Sequence, residues 1–375
     1  MVVGLIGVPL TDTASPRRFH TAWTHVVRGT IWDLALPDDA ALVAVGSGIS
    51  SGRRTEDLTG QLVVLDQQGQ VLWSHDSKTG VGAVATSSDG SLVVSVIDDG
   101  AVAFNKKGEI LWRHQIPSRI WRVAVDAAGS TIAAASRGRL DVLDESGKLR
   151  WSKEISGTVA GVGMPRRGSL IAVLSWAWSE NLRKRQANVR GLISVFDDSG
   201  TLHWDHPLEF NAVCEDDIHL AVALSDDGST IALGSGSPSG RLLVFHADGR
   251  LLWNDSTRDD VLNAAVSRDG SVIALGSSDF RLHVFDGQTG RSWTRGTGGD
   301  PAHFIAGDFA LAVAPDGGLV AAGAGDGNMY VFNRMGELVF SEPVGAKLQS
   351  VEFGKNHPFL AAGSADGKIH AFESI

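Results

Sequence analysis

Polar and apolar residues alternate along most of this chain in short runs, as in Arg241-Leu242-Leu243-Val244-Phe245 and Arg281-Leu282-His283-Val284-Phe285-Asp286. An alternation with period two predicts β-strands that bury one face or both. Between the runs lie clusters of Gly, Asp, Asn and Ser, whose side-chain hydrogen bonds and tolerance of positive φ suit tight turns. The runs come in fours. Each group reads as four antiparallel strands, a to d, joined by short turns.

The groups share text. Asp66-Gln67-Gln68-Gly69-Gln70-Val71-Leu72-Trp73 recurs as Asp144-Glu145-Ser146-Gly147-Lys148-Leu149-Arg150-Trp151 and again before Trp112, Trp204 and Trp253. Near Trp293 the spacing is one residue tighter, and near Phe340 a Phe takes the place of Trp. The phrase is D/N-x-x-G-x-x-x-W, placed on the c–d turn and strand d. A second phrase marks the a–b turn: Ser87-Ser88-Asp89-Gly90-Ser91, Ser225-Asp226-Asp227-Gly228-Ser229 and Ser267-Arg268-Asp269-Gly270-Ser271. With Trp23, the anchors number eight and stand 39 to 53 residues apart within the chain. Such a period signals a repeat architecture. The last group, ending at Phe372, has a, b and c but no d, while Phe19-His20-Thr21-Ala22-Trp23 is a d strand without a, b or c. Each completes the other, and closing a ring removes exposed sheet edges. The expectation is an all-β single domain over residues 1–375: one eight-bladed β-propeller of four-stranded antiparallel blades, closed by an N-terminal strand completing the last blade. The blades fall at 30–74, 81–113, 120–152, 159–205, 218–254, 261–294, 309–341 and 348–373, with 19–25 as the closing strand.

The D/N-x-x-G-x-x-x-W phrase resembles the tryptophan-docking repeat of quinoprotein-like (PQQ-type) propellers, and the Ser-x-Asp-Gly turns are similar to those of WD40 repeats. The resemblance spans Phe19 to Phe372 and implies architecture more than activity. Quinoprotein dehydrogenases hold calcium and a quinone through Asp, Glu and Asn side chains. No position here matches that set, and the Gly-His and Trp-Asp signature of WD40 repeats is absent. No cofactor and no metal are expected.

Composition narrows the choices further. The chain has 11 Trp against one Tyr, which the docking role explains. A single Cys excludes a disulfide framework and any Cys-based zinc or iron–sulfur site within the chain. A net charge of −10 argues against nucleic acid as the main partner. No apolar run reaches the roughly 18 residues of a membrane span. Met1 to Leu10 is apolar but lacks a basic flank and cleavage pattern, so a soluble, cytoplasmic protein is expected.

Function is sought where the repeat is broken. In strand a, the position held by Ala or Gly in seven groups is Glu352 in the last. All length variation falls in the b–c and d–a connections, which emerge on one face: Ser47–Thr59, Trp176–Arg190, Asp205–Asp217 and Thr294–Asp308. The second of these carries Trp176, Trp178, Arg183, Lys184, Arg185 and Arg190, residue types that dominate protein interfaces. They are the candidate binding residues for a protein partner. Asp33, Arg122 and Asn263 sit near the starts of strand a and are candidates for the mouth of the central channel. His203, Asp205, His206, Glu209, Cys214, Glu215, Asp216, Asp217 and His219 have residue types suited to acid–base or metal chemistry, but no helix aligns them. No catalytic set reaches the standard of a motif. The expected function is a non-catalytic protein-interaction scaffold presenting its loop-rich face. The alternative is an enzyme or small-ligand sensor with its site at the channel mouth. Oligomeric state and partner identity are not encoded in these patterns.

Overall fold

The computed structural model describes residues 19–50, 58–115, 120–167, 169–178, 187–212, 220–236, 240–296, 310–324, 326–356 and 359–374. Every element in them is a strand. β1 (Phe19–Val26) comes first. β2 (Thr30–Ala35), β3 (Leu42–Ser50), β4 (Leu58–Asp66) and β5 (Val71–Ser77) make the first sheet. β6 (Val84–Thr86), β7 (Val93–Ile97), β8 (Gly100–Phe104) and β9 (Ile110–His114) make the second. The third has six strands: β10 (Ile120–Val125), β11 (Thr131–Asp144), β12 (Leu149–Gly163), β13 (Ile171–Trp178), β14 (Ala187–Phe196) and β15 (Leu202–Ala212). β16 (Leu220–Leu224), β17 (Thr230–Ser235), β18 (Arg241–His246) and β19 (Leu251–Ser256) form the fourth. β20 (Val261–Val266), β21 (Val272–Ser277), β22 (Arg281–Asp286) and β23 (Ser292–Gly296) form the fifth. β24 (Ala310–Val313), β25 (Leu319–Gly323), β26 (Asn328–Asn333) and β27 (Leu338–Pro343) form the sixth. β28 (Leu348–Phe353), β29 (Phe359–Ser364) and β30 (Lys368–Ser374) complete the seventh with β1, which pairs antiparallel with β30 from Phe19↔Ser374 to Val26↔Lys368.

The propeller therefore has seven blades counted as hydrogen-bonded sheets, and the expected eight four-stranded blades are corrected. The cause lies between residues 120 and 205. β11 doubles back on itself at Gly138 (φ 78°), so that Ile132 and Leu143 pack in one cluster. β12 then runs without a break from the outer edge of the third repeat unit into the inner strand of the fourth. Arg137 pairs with Thr158, and Thr158 with Trp176. The two units merge into one sheet where the sequence pattern separates them. Around the axis the inner segments β2, β6, β10, β12, β16, β20, β24 and β28 neighbour one another in a closed circuit.

Packing follows from the buried faces. The strands β7, β8, β17, β21 and β29 are buried at every position. Their residues form clusters shared between neighbouring sheets, for example Ala35, Ala44, Leu62 and Val64 with Val84, Val93 and Phe104. At the rim, each docking Trp bridges forward. Its Nε1 donates to a carbonyl of the next c–d turn: Trp23 to Gln67 O at 2.7 Å, Trp112 to Glu145 O at 2.9 Å, Trp151 to Asp198 O at 2.7 Å, Trp204 to Ala247 O at 2.8 Å. The same indole lies against that turn's glycine. A Cβ on Gly147 (φ 80°) would stand 2.5 Å from Trp112 Cγ, which explains the Gly of the repeat phrase. These tryptophans are structural contacts. At the closing sheet Phe340 takes over, packing on Phe19 (5.7 Å between centroids) and Phe372 (5.4 Å).

Candidate functional site

The a–b turns sit close around one end of the axis and bond to one another. Asp38 N donates to Ser88 O, Ser88 N to Ala127 O, Asp226 N to Arg268 O (2.8 Å each) and Arg268 N to Pro315 O (3.1 Å). Asn356 N returns to Asp38 O at 2.6 Å. Pro315 has no N–H to pass the chain on. There the Arg268 side chain substitutes, its Nη2 lying 3.4 Å from Lys355 O and 3.5 Å from Asn356 Oδ1 while Nε pairs with Asp226 at 2.9 Å. A second arginine crosses the axis: Arg166, from the turn after β12, pairs with Asp38 of the first sheet's turn and donates to Ser88 Oγ at 2.6 Å. This end of the channel is strapped by two guanidiniums.

Deeper in the channel two carboxylates join neighbouring sheets. Glu352 on β28 accepts from Leu36 N at 2.9 Å, linking the seventh sheet to the first. Asp33 on β2 accepts from Leu34 N at 2.9 Å and from Val84 N at 3.0 Å, linking the first sheet to the second. Burial raises the Asp33 pKa to about 6, opposed by the Val84 amide and the charge of Arg122. Burial raises Glu352 to about 7; Lys355, the Leu36 amide and Arg166 oppose this, while Asp33 adds to it.

Asp33, Arg122 and Asn263 share a structural cause. Each follows a bulge at the start of its inner strand, between Ile31 and Asp33, Ile120 and Arg122, and Val261 and Asn263. A bulge re-aims the next side chain. Asn263 Oδ1 accepts from Ala264 N at 2.8 Å, the same local bond that Asp33 makes. The positive charge of Arg122 reaches Asp33 and favours its ionised form. The sequence reading passed over Trp32, the bulge residue before Asp33, whose ring fills the space a Cβ would need on Gly48 and Gly80. Its signal was present, since Trp32 and Trp121 lie outside the docking phrase and immediately precede two of the mouth candidates.

On the opposite face, much of the inserted sequence extends the strands. β3 and β4 stay paired out to Ser50↔Leu58, β13 and β14 to Trp178↔Val189, and β14 and β15 to Ala187↔Ala212. Strands β13, β14 and β15 thus stand out together. Trp176 is 8% exposed and packs with Leu174, Val189, Ile193 and Leu208, so its ring braces this projection from within. Arg190 is exposed on β14. Trp178 closes β13 in register, while Arg183, Lys184 and Arg185 lie outside the described residues. Of the His/Asp stretch, His203 pairs with Asp197 at 3.4 Å, and the His206 ring packs tilted against Phe245 with centroids 5.0 Å apart. Cys214, Glu215, Asp216, Asp217 and His219 lie outside the described residues.

One further trio has the look of chemistry: His283 Nε2 lies 3.1 Å from Asp279 Oδ2, and Thr294 Oγ1 lies 3.3 Å from His283 Nδ1. The same strap recurs one unit later, where Tyr330 OH donates to Asp326 Oδ2 at 2.7 Å. It belongs to the repeat. Among the described residues no group of three or more His, Cys, Asp or Glu is placed to hold a metal ion, and no helix is long and apolar enough to cross a membrane.

Comparison with known proteins agrees with the docking geometry. BamB from Moraxella catarrhalis superposes with a TM-score of 0.67 at 15% identity, covering 95% of this chain and 99% of that one. The computationally designed Ika8 protein gives 0.67 at 18% identity, covering 93% and 97%. At such identities these two speak for the fold alone. No curated protein matches the chain. A family model described as outer membrane protein assembly factor BamB matches residues 21–173 and 189–361, leaving out the segment that joins β13 to β14. The likeness to WD40 repeats rests on the turn sequences alone. The chain belongs to the PQQ-like propeller family described as outer membrane protein assembly factor BamB.

Proposed function

We propose that this protein is a non-catalytic scaffold that presents its loop-rich face to protein partners. The observation that carries this reading is the projection of β13, β14 and β15, whose 8, 10 and 11 residues exceed the 5 or 6 of their counterparts β17, β18, β19, β21, β22 and β23. The segment joining β13 to β14 falls in the gap between the two matched stretches of the family, so it distinguishes this chain from the family pattern. An element that stands out from a rigid ring, braced by a buried Trp, is preorganised and loses little entropy on binding. The family name, an assembly factor, supports a role in bringing proteins together. The channel carboxylates are engaged in joining sheets, which favours a structural use of the axis.

The test is affinity capture with the full chain against a variant in which residues 179–186 are replaced by Asn-Gly, the shortest connection for a hairpin. The expected result is a specific protein retained by the wild type and lost by the variant, with equal thermal stability of both. Capture of the same partner by both would overturn the assignment to this projection. A turnover or small-molecule stabilisation abolished by Asp33→Asn would overturn the non-catalytic reading.

A further inference from the structure

Charge is distributed unevenly over the chain. Residues 106–190 hold 16 Lys and Arg against 7 Asp and Glu, a net +9, so the other 290 residues carry a net −19. The six-stranded sheet brings part of this excess together on the loop-rich side. Arg137 pairs in register with Thr158, Thr158 with Trp176, and Trp176 with Gly191, the neighbour of Arg190. Arg122 pairs with Ala135, two residues from Arg137. Arg122, Arg137 and Arg190 are all exposed, with Lys153 exposed on β12. Not every charge is available. Arg139 is bound to buried Asp141 at 2.7 Å, which His114 also contacts at 2.8 Å, and Glu154 sits beside Arg139. Arg137 Nε rests on Thr158 Oγ1 at 3.3 Å, Arg122 faces Asp33, and Arg190 is in register with Glu209.

We propose that the margin of the six-stranded sheet marked by Arg122, Arg137 and Arg190 receives a short acidic segment of a protein partner in extended conformation. This deepens the scaffold reading and rests on it. From Arg137 on β11 to Arg190 on β14 is three strand spacings, about 15 Å, which an extended chain covers in about five residues. Within such a span an acidic segment lies nearest the exposed guanidiniums of Arg122, Arg137 and Arg190, while the fields of more distant acidic groups fade over a Debye length of about 10 Å. A long polyanion or a flat anionic membrane would run beyond the sector onto the acidic remainder and be repelled there. The narrowness of the basic sector therefore selects for a compact acidic partner segment.

The test uses the full chain and a fluorescein-labelled peptide of alternating Glu and Ser, about eight residues long, read by anisotropy. The expected result is saturable binding that weakens at least about fivefold as ionic strength rises from about 0.05 to about 0.3 M. The variant Arg122→Glu/Arg137→Glu/Arg190→Glu should weaken it at least about tenfold, the corresponding Gln variant less, with melting temperatures unchanged. Binding of the peptide unaffected by the Glu variant would overturn the proposal. So would tighter binding of single-stranded DNA or of phosphatidylglycerol vesicles than of the peptide. A physiological partner that the Glu variant still captures, but that is lost on replacing 179–186, would overturn this inference and leave the scaffold reading intact. Peptide binding lost in the Glu variant, with no partner dependent on 179–186, would uphold the inference while the assignment to the projection fails.

Discussion

The two faces of the disc are built from the same repeats and do opposite work. On the a–b turn face the connections are short, their backbones bond from turn to turn, and Arg166 and Arg268 reach across the axis to other sheets. On the opposite face the strands β3, β4, β13, β14 and β15 run on past the ring. The difference teaches where sequence is free to change. Cross-links on one face hold the circle, so the other can be lengthened without loosening it.

That contrast can be broken at the rim first. Trp112→Ala removes an indole docked on Gly147 and its hydrogen bond to Glu145 O, and should cost about 3 kcal/mol in denaturant unfolding. Gly147→Val pushes a side chain into the same ring from a backbone at φ 80°, and about 2–3 kcal/mol is expected. If either variant melts like wild type, the rim does not carry the ring. Arg166→Ala unties Asp38 and Ser88 across the axis, with an expected loss of about 1–2 kcal/mol.

The channel carboxylates sharpen the comparison through pH. Asp33 and Glu352 have folded pKa values above those of the unfolded chain, so the folded state holds their protons more tightly. The contribution of these two groups to stability is full below about pH 4 and is lost as pH rises through about 6 to 7, where both ionise in place. Glu352→Gln keeps an acceptor for Leu36 N while removing the charge. It should flatten that slope and stabilise the protein at pH 8 by about 1 kcal/mol, measured as melting temperature against pH. An unchanged slope would show that Glu352 is solvated. The smallest effect is reserved for the loop-rich face: replacing 179–186 with Asn-Gly should alter stability by less than about 0.5 kcal/mol. A large loss there would mean that the two faces are not independent.

The strands, the Trp–Gly docking phrase and the pairing of β1 with the last sheet could be traced in the sequence because each recurs at a fixed phase. The blade count could not. Residues Ile155 to Thr158 link two units with no turn signal beyond Gly157, whose φ of 82° lets β12 pass close under the Trp176 carbonyl. Hydrogen bonding then fuses what the repeat separates. The insertions read as loops, although Trp176-Ala177-Trp178 and Ala187-Asn188-Val189-Arg190 are short enough to pair as hairpin arms. Trp176 stood out as a binding residue by type, yet only three-dimensional packing reveals that Val189, Leu208 and Ile193 enclose it. Glu352 was visible as the odd member of a small-residue position. Arg166 was not, since its partners Asp38 and Ser88 become neighbours only when the ring closes.

The closing sheet gives the molecule a preferred place to come apart. A stack of repeats with two ends frays from them, whereas a circle has no ends and must first be opened somewhere. Every Trp in the chain of rim contacts donates a hydrogen bond to the next turn, but the Phe340 ring has no N–H to donate, and at the rim the join there rests on ring packing with Phe19 and Phe372. Within the last sheet β1 is the edge strand, and its only ladder there is the one with β30. Peeling β1 would convert the circle into an open stack, after which the sheets on either side of the opening can unzip in succession. Amide hydrogen exchange should be fastest along the β1–β30 ladder, and a load applied to β1 should find the molecule's first yield point there.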